Sequence, residues 1–203
     1  MGSAQKPVVI VFARAPRLGA VKTRLAAGVG KRAAFRFCVE TTGAIIRRLA
    51  NQPRWEIELC ITPENAAGLD RVWPGKFPVT GQGGGNLGRR MERAMMRYPS
   101  RPVILIGSDI PDIRVNDIAA GFRALGTHDL VFGPADDGGY WLVGAKHGAL
   151  ARGLFENVRW SGPHALSDTR ANANGKRVAR LRNLSDIDDV SDYERWRSDA
   201  TFA

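Results

Sequence analysis

The chain is poor in the residues that build many active sites. It has 203 residues, of which two are cysteine and three histidine. Cys38 and Cys60 fall in a predicted helix and a predicted strand, so both read as reduced core thiols, and a cytoplasmic setting is expected. His128, His147 and His164 lack metal-ligand spacing, which argues against a histidine-centred metal site. No apolar run approaches the length of a membrane span. The N-terminus is short and polar, and the first apolar run leads straight to Arg14, so no secretory signal is expected. There is no nucleophile elbow, catalytic Cys/His pattern, internal repeat or low-complexity segment. Zinc-finger, helix-turn-helix, RNP and Walker patterns are missing too, and the loop after the first apolar run holds no Gly-x-Gly-x-x-Gly. These absences argue against the common serine- and cysteine-hydrolase, histidine-metalloprotease and zinc-finger or helix-turn-helix classes.

What is present is ordinary in bulk and biased in charge. Hydrophobic residues make up 44% and charged residues 25%, as in soluble globular domains. The length suits one α/β domain, taken here as residues 1–203. The formal net charge of +10 points to an anionic partner. The arginines are dispersed along the chain, so nucleic acid is not the expected partner and a solvated basic surface stays open as the plainer account.

Two wholly apolar, β-branched runs, Val8 to Phe12 and Val103 to Ile106, read as strands covered on both faces of a parallel sheet. The second ends in Gly107-Ser108-Asp109, followed by Ile110-Pro111, where proline stops the ladder. A carboxylate at the carboxyl end of a buried strand sits where ligands bind in open α/β sheets. Asp109 is therefore the first candidate for a working residue, with a turn or helix cap as its other reading. The run from Val8 leads into a loop with Arg14, Pro16, Arg17, Gly19, Lys22 and Arg24. A strand followed by a basic, flexible loop and a helix is a layout that holds phosphate.

Further along, helical spacing covers Lys31 to Leu49. Trp55 to Thr62 alternates and reads as a strand near the sheet edge. A short helix is predicted over Asn65 to Val72 and a turn at Trp73 to Lys76. A glycine run, Gly81 to Gly85, opens a helix reaching about Arg97. A helix over Val115 to Leu125 and a strand over Asp129 to Phe132 come next. Between that strand and another lies Asp136-Asp137-Gly138-Gly139-Tyr140, which reads as a turn or a substrate-facing loop. Trp160 reads as a packing residue, followed by a helix over Pro163 to Ala173 and a last short strand between Lys176 and Leu184. Ser191 is the expected N-cap of a terminal helix, a role that leaves Asp186, Asp188 and Asp189 unexplained. The order β-α-β-α-β-α-β-β-α-β-α predicts a three-layer α/β/α domain with a mostly parallel sheet.

Several stretches, in this order, resemble the bacterial DUF2064 family of proposed transferases. They are Phe12-Ala13-Arg14-Ala15-Pro16 with Gly19, then Lys22-Thr23-Arg24-Leu25, then Gln82 with Leu87-Gly88 and Arg90-Met91. Gly107 to Pro111, Gly133 to Tyr140, Trp160-Ser161 and Asp186-Ile187-Asp188 with Asp192 complete the set. The resemblance implies the GT-A, or nucleotide-diphospho-sugar transferase, fold. It also implies a metal-dependent nucleotidyltransferase, with nucleotide-sugar glycosyl transfer or non-catalytic nucleotide or nucleic-acid binding as alternatives. The chain departs from nucleotidyltransferases at Ala13-Arg14-Ala15-Pro16, where their phosphate loop opens with Gly-Gly. It departs from glycosyltransferases at Gly107-Ser108-Asp109, which keeps only the last acid of Asp-x-Asp.

On this reading Lys22 and Asp109 are catalytic, and Asp109 and Asp188 bind Mg²⁺ or Mn²⁺. Ala13, Arg14, Gly19, Lys22, Arg24, Gln82, Gly88 and Arg90 would hold the nucleotide. Asp136, Asp137, Gly138, Gly139 and Tyr140 would face a small phosphorylated or hydroxylated acceptor. The expected partners are an NTP or nucleotide sugar and that acceptor, with no membrane; a homodimer stays open.

Overall fold

A computed structural model describes residues 5–64, 69–73 and 75–201. Its centre is a seven-stranded sheet in the order β3-β2-β1-β4-β6-β5-β7. The strands are β1 (Val8–Arg14), β2 (Glu56–Thr62), β3 (Val79–Gly81), β4 (Val103–Ile106), β5 (Leu130–Pro134), β6 (Tyr140–Ala145) and β7 (Val178–Arg180). All ladders are parallel except the two made by β6, which runs antiparallel to β4 and to β5. The mostly parallel sheet expected from the buried apolar runs is what forms.

Helices cover both faces, and the strand alternation decides which residues go where. Val9, Val11, Ile104 and Ile106 pack with Ile45, Ile46 and Leu49 of α2 (Lys31–Ala50) and with Ile118 of α5 (Val115–Ala124). Val8, Ile10, Val103 and Leu105 face the other way, onto Met91 and Met95 of α4 (Leu87–Met96) and onto Leu154 and Phe155. The remaining helices are α1 (Thr23–Val29), α3 (Leu69–Val72), α6 (Ala165–Ala171) and α7 (Val190–Thr201), with a 3₁₀ turn at Gly148–Ala151.

Some local expectations shift. Glycine at position 30, with φ of 84°, separates α1 from α2, and the three-residue edge strand β3 is too short to show a period. The predicted helix over Asn65 to Val72 is observed at Leu69–Val72; residues 65–68, and Pro74 of the predicted turn, lie outside the described residues. The polar positions of β2 differ: Glu56 is exposed, whereas Glu58 is not. Glu58 is 1% exposed and accepts hydrogen bonds from Thr80 at 2.6 Å and from Arg97 and Tyr98. That satisfies a buried carboxylate, which alone would be prohibitively costly.

A third, smaller core brings the C-terminal segment onto the domain. Ile187, 2% exposed, packs with Leu25, Ala34 and Phe37. Tyr193 and Trp196 of α7 close edge-on over the Phe37 ring at 5.6 and 5.7 Å. Gly28 of α1 is required for the approach, because a Cβ there would come within 2.7 Å of the Val190 side chain. Ser191 is not the cap of α7. The Asp189 carboxylate takes that role, accepting from the backbone N–H of Ser191 at 2.9 Å and of Asp192 at 3.1 Å. Asp192 in turn accepts from the N–H of Asp188 and of Asp189, a reciprocal arrangement like a capping box.

Ile187→Ala is expected to cost about 2–4 kcal/mol and Ile187→Val about 1 kcal/mol in urea denaturation. Losses near zero for both would mean that the tail is not anchored through this side chain.

Candidate functional site

The sheet order places β1 between β2 and β4, so the chain leaves β1 towards one side and β4 joins from the other. This is a topological switch point, where a crevice opens beyond the carboxyl ends of the two strands. The loop after β1 carries Lys22, and the loop after β4 carries Asp109. Lys22 sits at the N-cap of α1 with φ of 48° and ψ of 50°. A left-handed backbone at a non-glycine residue costs on the order of 1 kcal/mol or more and persists only where the surroundings enforce it.

Those surroundings are two carboxylates. The Lys22 ammonium donates to Asp109 Oδ2 and to Asp188 Oδ1, both at 2.7 Å, with the lysine side chain only 10% exposed. Burial works to lower the Lys22 pKa, but the charges of Asp109 and Asp188 and their hydrogen bonds outweigh it and hold the group at about 12. Arg24, largely in solvent, approaches Asp188 at 3.6 Å. Asp109 is fixed from two sides. Thr42 of α2 donates to the Ser108 carbonyl at 3.2 Å, and the Ile187 N–H donates to the Asp109 carbonyl at 3.3 Å. With Ile187 turned into its core, Asp186 and Asp188 flank it and face the crevice.

Asp186 was not among the expected ligands, yet carboxylate oxygens of Asp109, Asp186 and Asp188 lie within 4.8 Å of one another. Burial, and then the charges of Asp109, Asp137 and Asp188, push Asp186 up to about 6. The sequence signal for it was the unexplained acid pair at 186 and 188. Three hard oxygen donors without thiol or imidazole suit a divalent cation of the Mg²⁺ or Mn²⁺ type. Lys22 already occupies the cationic role in their midst.

Two cavities meet at Asp109. One, of about 360 Å³, is lined by Arg14, Lys22, Arg24, Asp109 and Asp188, with Cys38 in its wall. The other, of about 200 Å³, is lined by Asp109, Asp137, Gly139, Tyr140, Trp160 and Asp186 among others.

The expected nucleotide residues divide. Arg14, Lys22 and Arg24 line the larger cavity, and Gly19 turns the loop leading to it with φ of 78°. Ala13, Gln82 and Gly88 are structural instead. Gln82 is 2% exposed and donates to the carbonyls of Ala13 at 2.9 Å and Cys60 at 3.1 Å, and Arg90 donates to its amide oxygen. These bonds staple β1 to β2 and leave Gln82 no free group to read a base. Gly88 is buried where a Cβ would meet the Phe155 carbonyl at 2.7 Å. Arg90 has a buried Nε without a partner among the described residues, and burial, followed by the like charge of Arg14, lowers its pKa.

Of the expected acceptor residues, Asp137, Gly139 and Tyr140 line the smaller cavity. Gly138, with φ of 85°, turns the loop where a Cβ would strike the Pro163 backbone at 2.5 Å. Asp136 is drawn away, bonded to Ser185 at 2.5 Å and Asn183 at 3.3 Å.

A family model, described as uncharacterised proteins conserved in bacteria (DUF2064), matches residues 45–162, more than half of the chain. The match includes Asp109, the 136–140 loop and Trp160, but neither Lys22 nor Asp188. No curated protein matches in sequence. Among solved structures, a proposed nucleotide-diphospho-sugar transferase from Desulfovibrio desulfuricans is 28% identical. Its TM-score is 0.87, over 95% of this chain and 86% of that one. The 4-diphosphocytidyl-2C-methyl-D-erythritol synthase of Anaerococcus prevotii is 11% identical, with a TM-score of 0.66 over 97% and 96%. Glucosyl-3-phosphoglycerate synthase of Mycobacterium tuberculosis, in complex with Mn²⁺, UDP and its product, is also 11% identical, with a TM-score of 0.59 over 95% and 75%. The fold is thus shared with both nucleotidyl- and glycosyltransferases. Among the described residues, no helix is long and apolar enough to cross a membrane.

The acid cluster has a readable pH signature. The folded-state pKa of Asp186 lies above its ordinary value of 3.8. Its contribution to stability is therefore full below about pH 4 and is lost as the pH rises through about 6. Asp186→Asn mimics the protonated form. It should raise the melting temperature by roughly 2–5 °C at about pH 8 and leave it unchanged at about pH 4. An equal effect at both pH values would disprove the electrostatic origin.

Proposed function

This chain belongs to the DUF2064 family, and we propose that it is a metal-dependent nucleotidyltransferase, moving an NMP group from an NTP to a small acceptor with release of pyrophosphate. The observation that carries this reading is the joining of Asp109 and Asp188 by Lys22 at the mouth of a cationic cavity. Phosphoryl chemistry asks little covalent work of a protein; it needs charge neutralised and reactants aligned. Arg14, Lys22 and Arg24 supply the first requirement on the side where the phosphates lie, with Lys22 the group best placed to meet charge developing in the transition state. Tyr140 and Trp160 supply the second, as walls that exclude water from the acceptor side.

Asp109, Asp186 and Asp188 would hold Mg²⁺ or Mn²⁺, which when bound supplies Lewis-acid neutralisation of phosphate oxygens. One of the solved structures named above, the glucosyl-3-phosphoglycerate synthase, contains Mn²⁺ together with UDP, which supports a divalent ion. The same comparison, with the proposed nucleotide-diphospho-sugar transferase, favours a second reading in which the donor is a nucleotide sugar and the group moved is the sugar. Pyrophosphate release from an NTP distinguishes the first; metal-dependent hydrolysis of a nucleotide sugar without pyrophosphate distinguishes the second.

Lys22 gives a test with two opposite signs. Its ammonium competes with any cation for Asp109 and Asp188, and on this proposal it also binds phosphate. Lys22→Met should tighten Mn²⁺ binding in the absence of nucleotide, read from the paramagnetic resonance of free Mn²⁺. The same variant should weaken metal–NTP affinity by about 1–3 kcal/mol in calorimetry. Asp109→Asn should abolish both. If Lys22→Met changed neither affinity, the lysine would be only a structural ion-pair partner.

A further inference from the structure

The two cavities that share Asp109 are opposite in chemistry. Arg14, Lys22 and Arg24 line the larger one. Among the described residues, no lysine or arginine lines the smaller one, whose carboxylates are Asp109, Asp137 and Asp186. Beyond its rim lies a second acidic concavity, lined among the described residues by Asp136, Asp137, Asp186, Asp188, Asp189 and Asp192 against Arg24 and Arg195. The nearby arginines are already engaged. Arg159, adjacent to Trp160, is forked onto Asp168 by two contacts of 2.9 Å. Arg182 is forked onto Asp117 at 2.7 and 2.8 Å. In a chain of net charge +10, this corner is locally anionic.

The rest of the wall is apolar and aromatic, with Leu87, Met91, Tyr140 and a half-buried Trp160. Next to Trp160, Ser161 is a non-glycine residue with φ of 64°, so the backbone is held in an unfavourable conformation where it borders the cavity. Ionised carboxylates accept hydrogen bonds and cannot donate them. A ligand here must present hydroxyl donors and an apolar face; in the metal-free protein a phosphate group would meet the charges of Asp137 and Asp186, with no lysine or arginine in the wall to offset them.

We propose that this cavity takes a sugar-like polyol that carries no phosphate, with one face against Trp160 and its hydroxyls turned to Asp137 and Asp186. Naming that ligand the acceptor rests on the nucleotidyltransferase reading above. In that reaction an acceptor oxygen forms a bond to the α-phosphorus, and the bond from that phosphorus to the β-bridging oxygen breaks. Pyrophosphate leaves with the electron pair, and the hydroxyl proton passes through Asp137 to solvent. The product is then a phosphodiester, whereas a sugar phosphate acceptor would give a pyrophosphate linkage. At about 200 Å³ the cavity is smaller than the usual range for drug-sized ligands, in keeping with a single ring.

Saturation-transfer NMR on the full chain tests this without nucleotide, so that its failure is separate from failure of the NTP screen. The probes are glucose against glucose 1-phosphate, and myo-inositol against its 1-phosphate, each pair at equal concentration. The neutral member should saturate at least fivefold more strongly. Trp160→Leu should remove most of that signal, and Asp137→Asn should narrow the gap within each pair while keeping the fold. Stronger or equal saturation of the phosphates, no saturation of any probe, or an unchanged signal in Trp160→Leu with intact near-ultraviolet dichroism would overturn the assignment.

Discussion

One ammonium group holds three distant parts of the chain at a common point. Lys22 reaches across 87 residues to Asp109 and across 166 to Asp188. Remove that cation, and carboxylates whose oxygens lie within 4.8 Å of one another repel by about 3–4 kcal/mol per pair at an effective dielectric constant of 20. That sum approaches a sizeable part of the net stability of a small domain. The protein therefore does not tolerate an empty acid cluster; it carries its own counter-ion. The arrangement also explains why a lysine adopts a left-handed backbone at the start of α1: the turn aims the side chain back into the crevice rather than out along the helix.

The sheet makes this meeting geometrically natural. β1 and β4 are hydrogen-bonded neighbours with Val11 opposite Ile106, so loops leaving their carboxyl ends start side by side. The C-terminal acids reach the same place by other means. A parallel bridge between Ala135 and Leu184 lays the 184–188 segment alongside the end of β5, and Ile187 then anchors it in a small core of its own. The segment has no regular structure between β7 and α7, so its position depends on those few bonds and on the α1–α7 contact that Gly28 permits.

How much of this was legible follows from what kind of force fixes each part. β1 and β4 are fixed by burial, and unbroken runs such as Val103 to Ile106 announce that directly. Asp109 was legible because its carboxylate follows such a run, and the basic loop because strand, glycine and cations coincide. Gln82 misled, because a polar residue after a strand and before a glycine run looks available, whereas its amide is spent on carbonyls of neighbouring strands; nothing local encodes that. Asp186 was visible only as an acid that helix capping did not explain. The capping itself was displaced by two residues, from Ser191 to Asp189, since both residue types serve equally well and only the path of the chain chooses. The alternation in β2 placed it near the sheet edge but gave no sign that Glu58 is buried and neutralised by Arg97. Such pairings across 39 residues lie beyond any periodicity.

The distribution of charge ties the proposed chemistry to the molecule as a whole. The dispersed arginines give a net charge of +10 and so a field that draws anions from a distance, although beyond roughly 8 Å it is screened at physiological salt. Within the crevice the sign changes over a few residues, from Arg14, Lys22 and Arg24 to Asp109, Asp137 and Asp186. A bare triphosphate attracted by the surface would be repelled at that boundary. A triphosphate already neutralised by a divalent cation presents charge of both signs to a site that also has both, cation toward the acids and phosphate oxygens toward the loop after β1. On the proposed function, the boundary itself selects the metal complex over the free nucleotide, and it does so with side chains that the sequence scatters from residue 14 to residue 188.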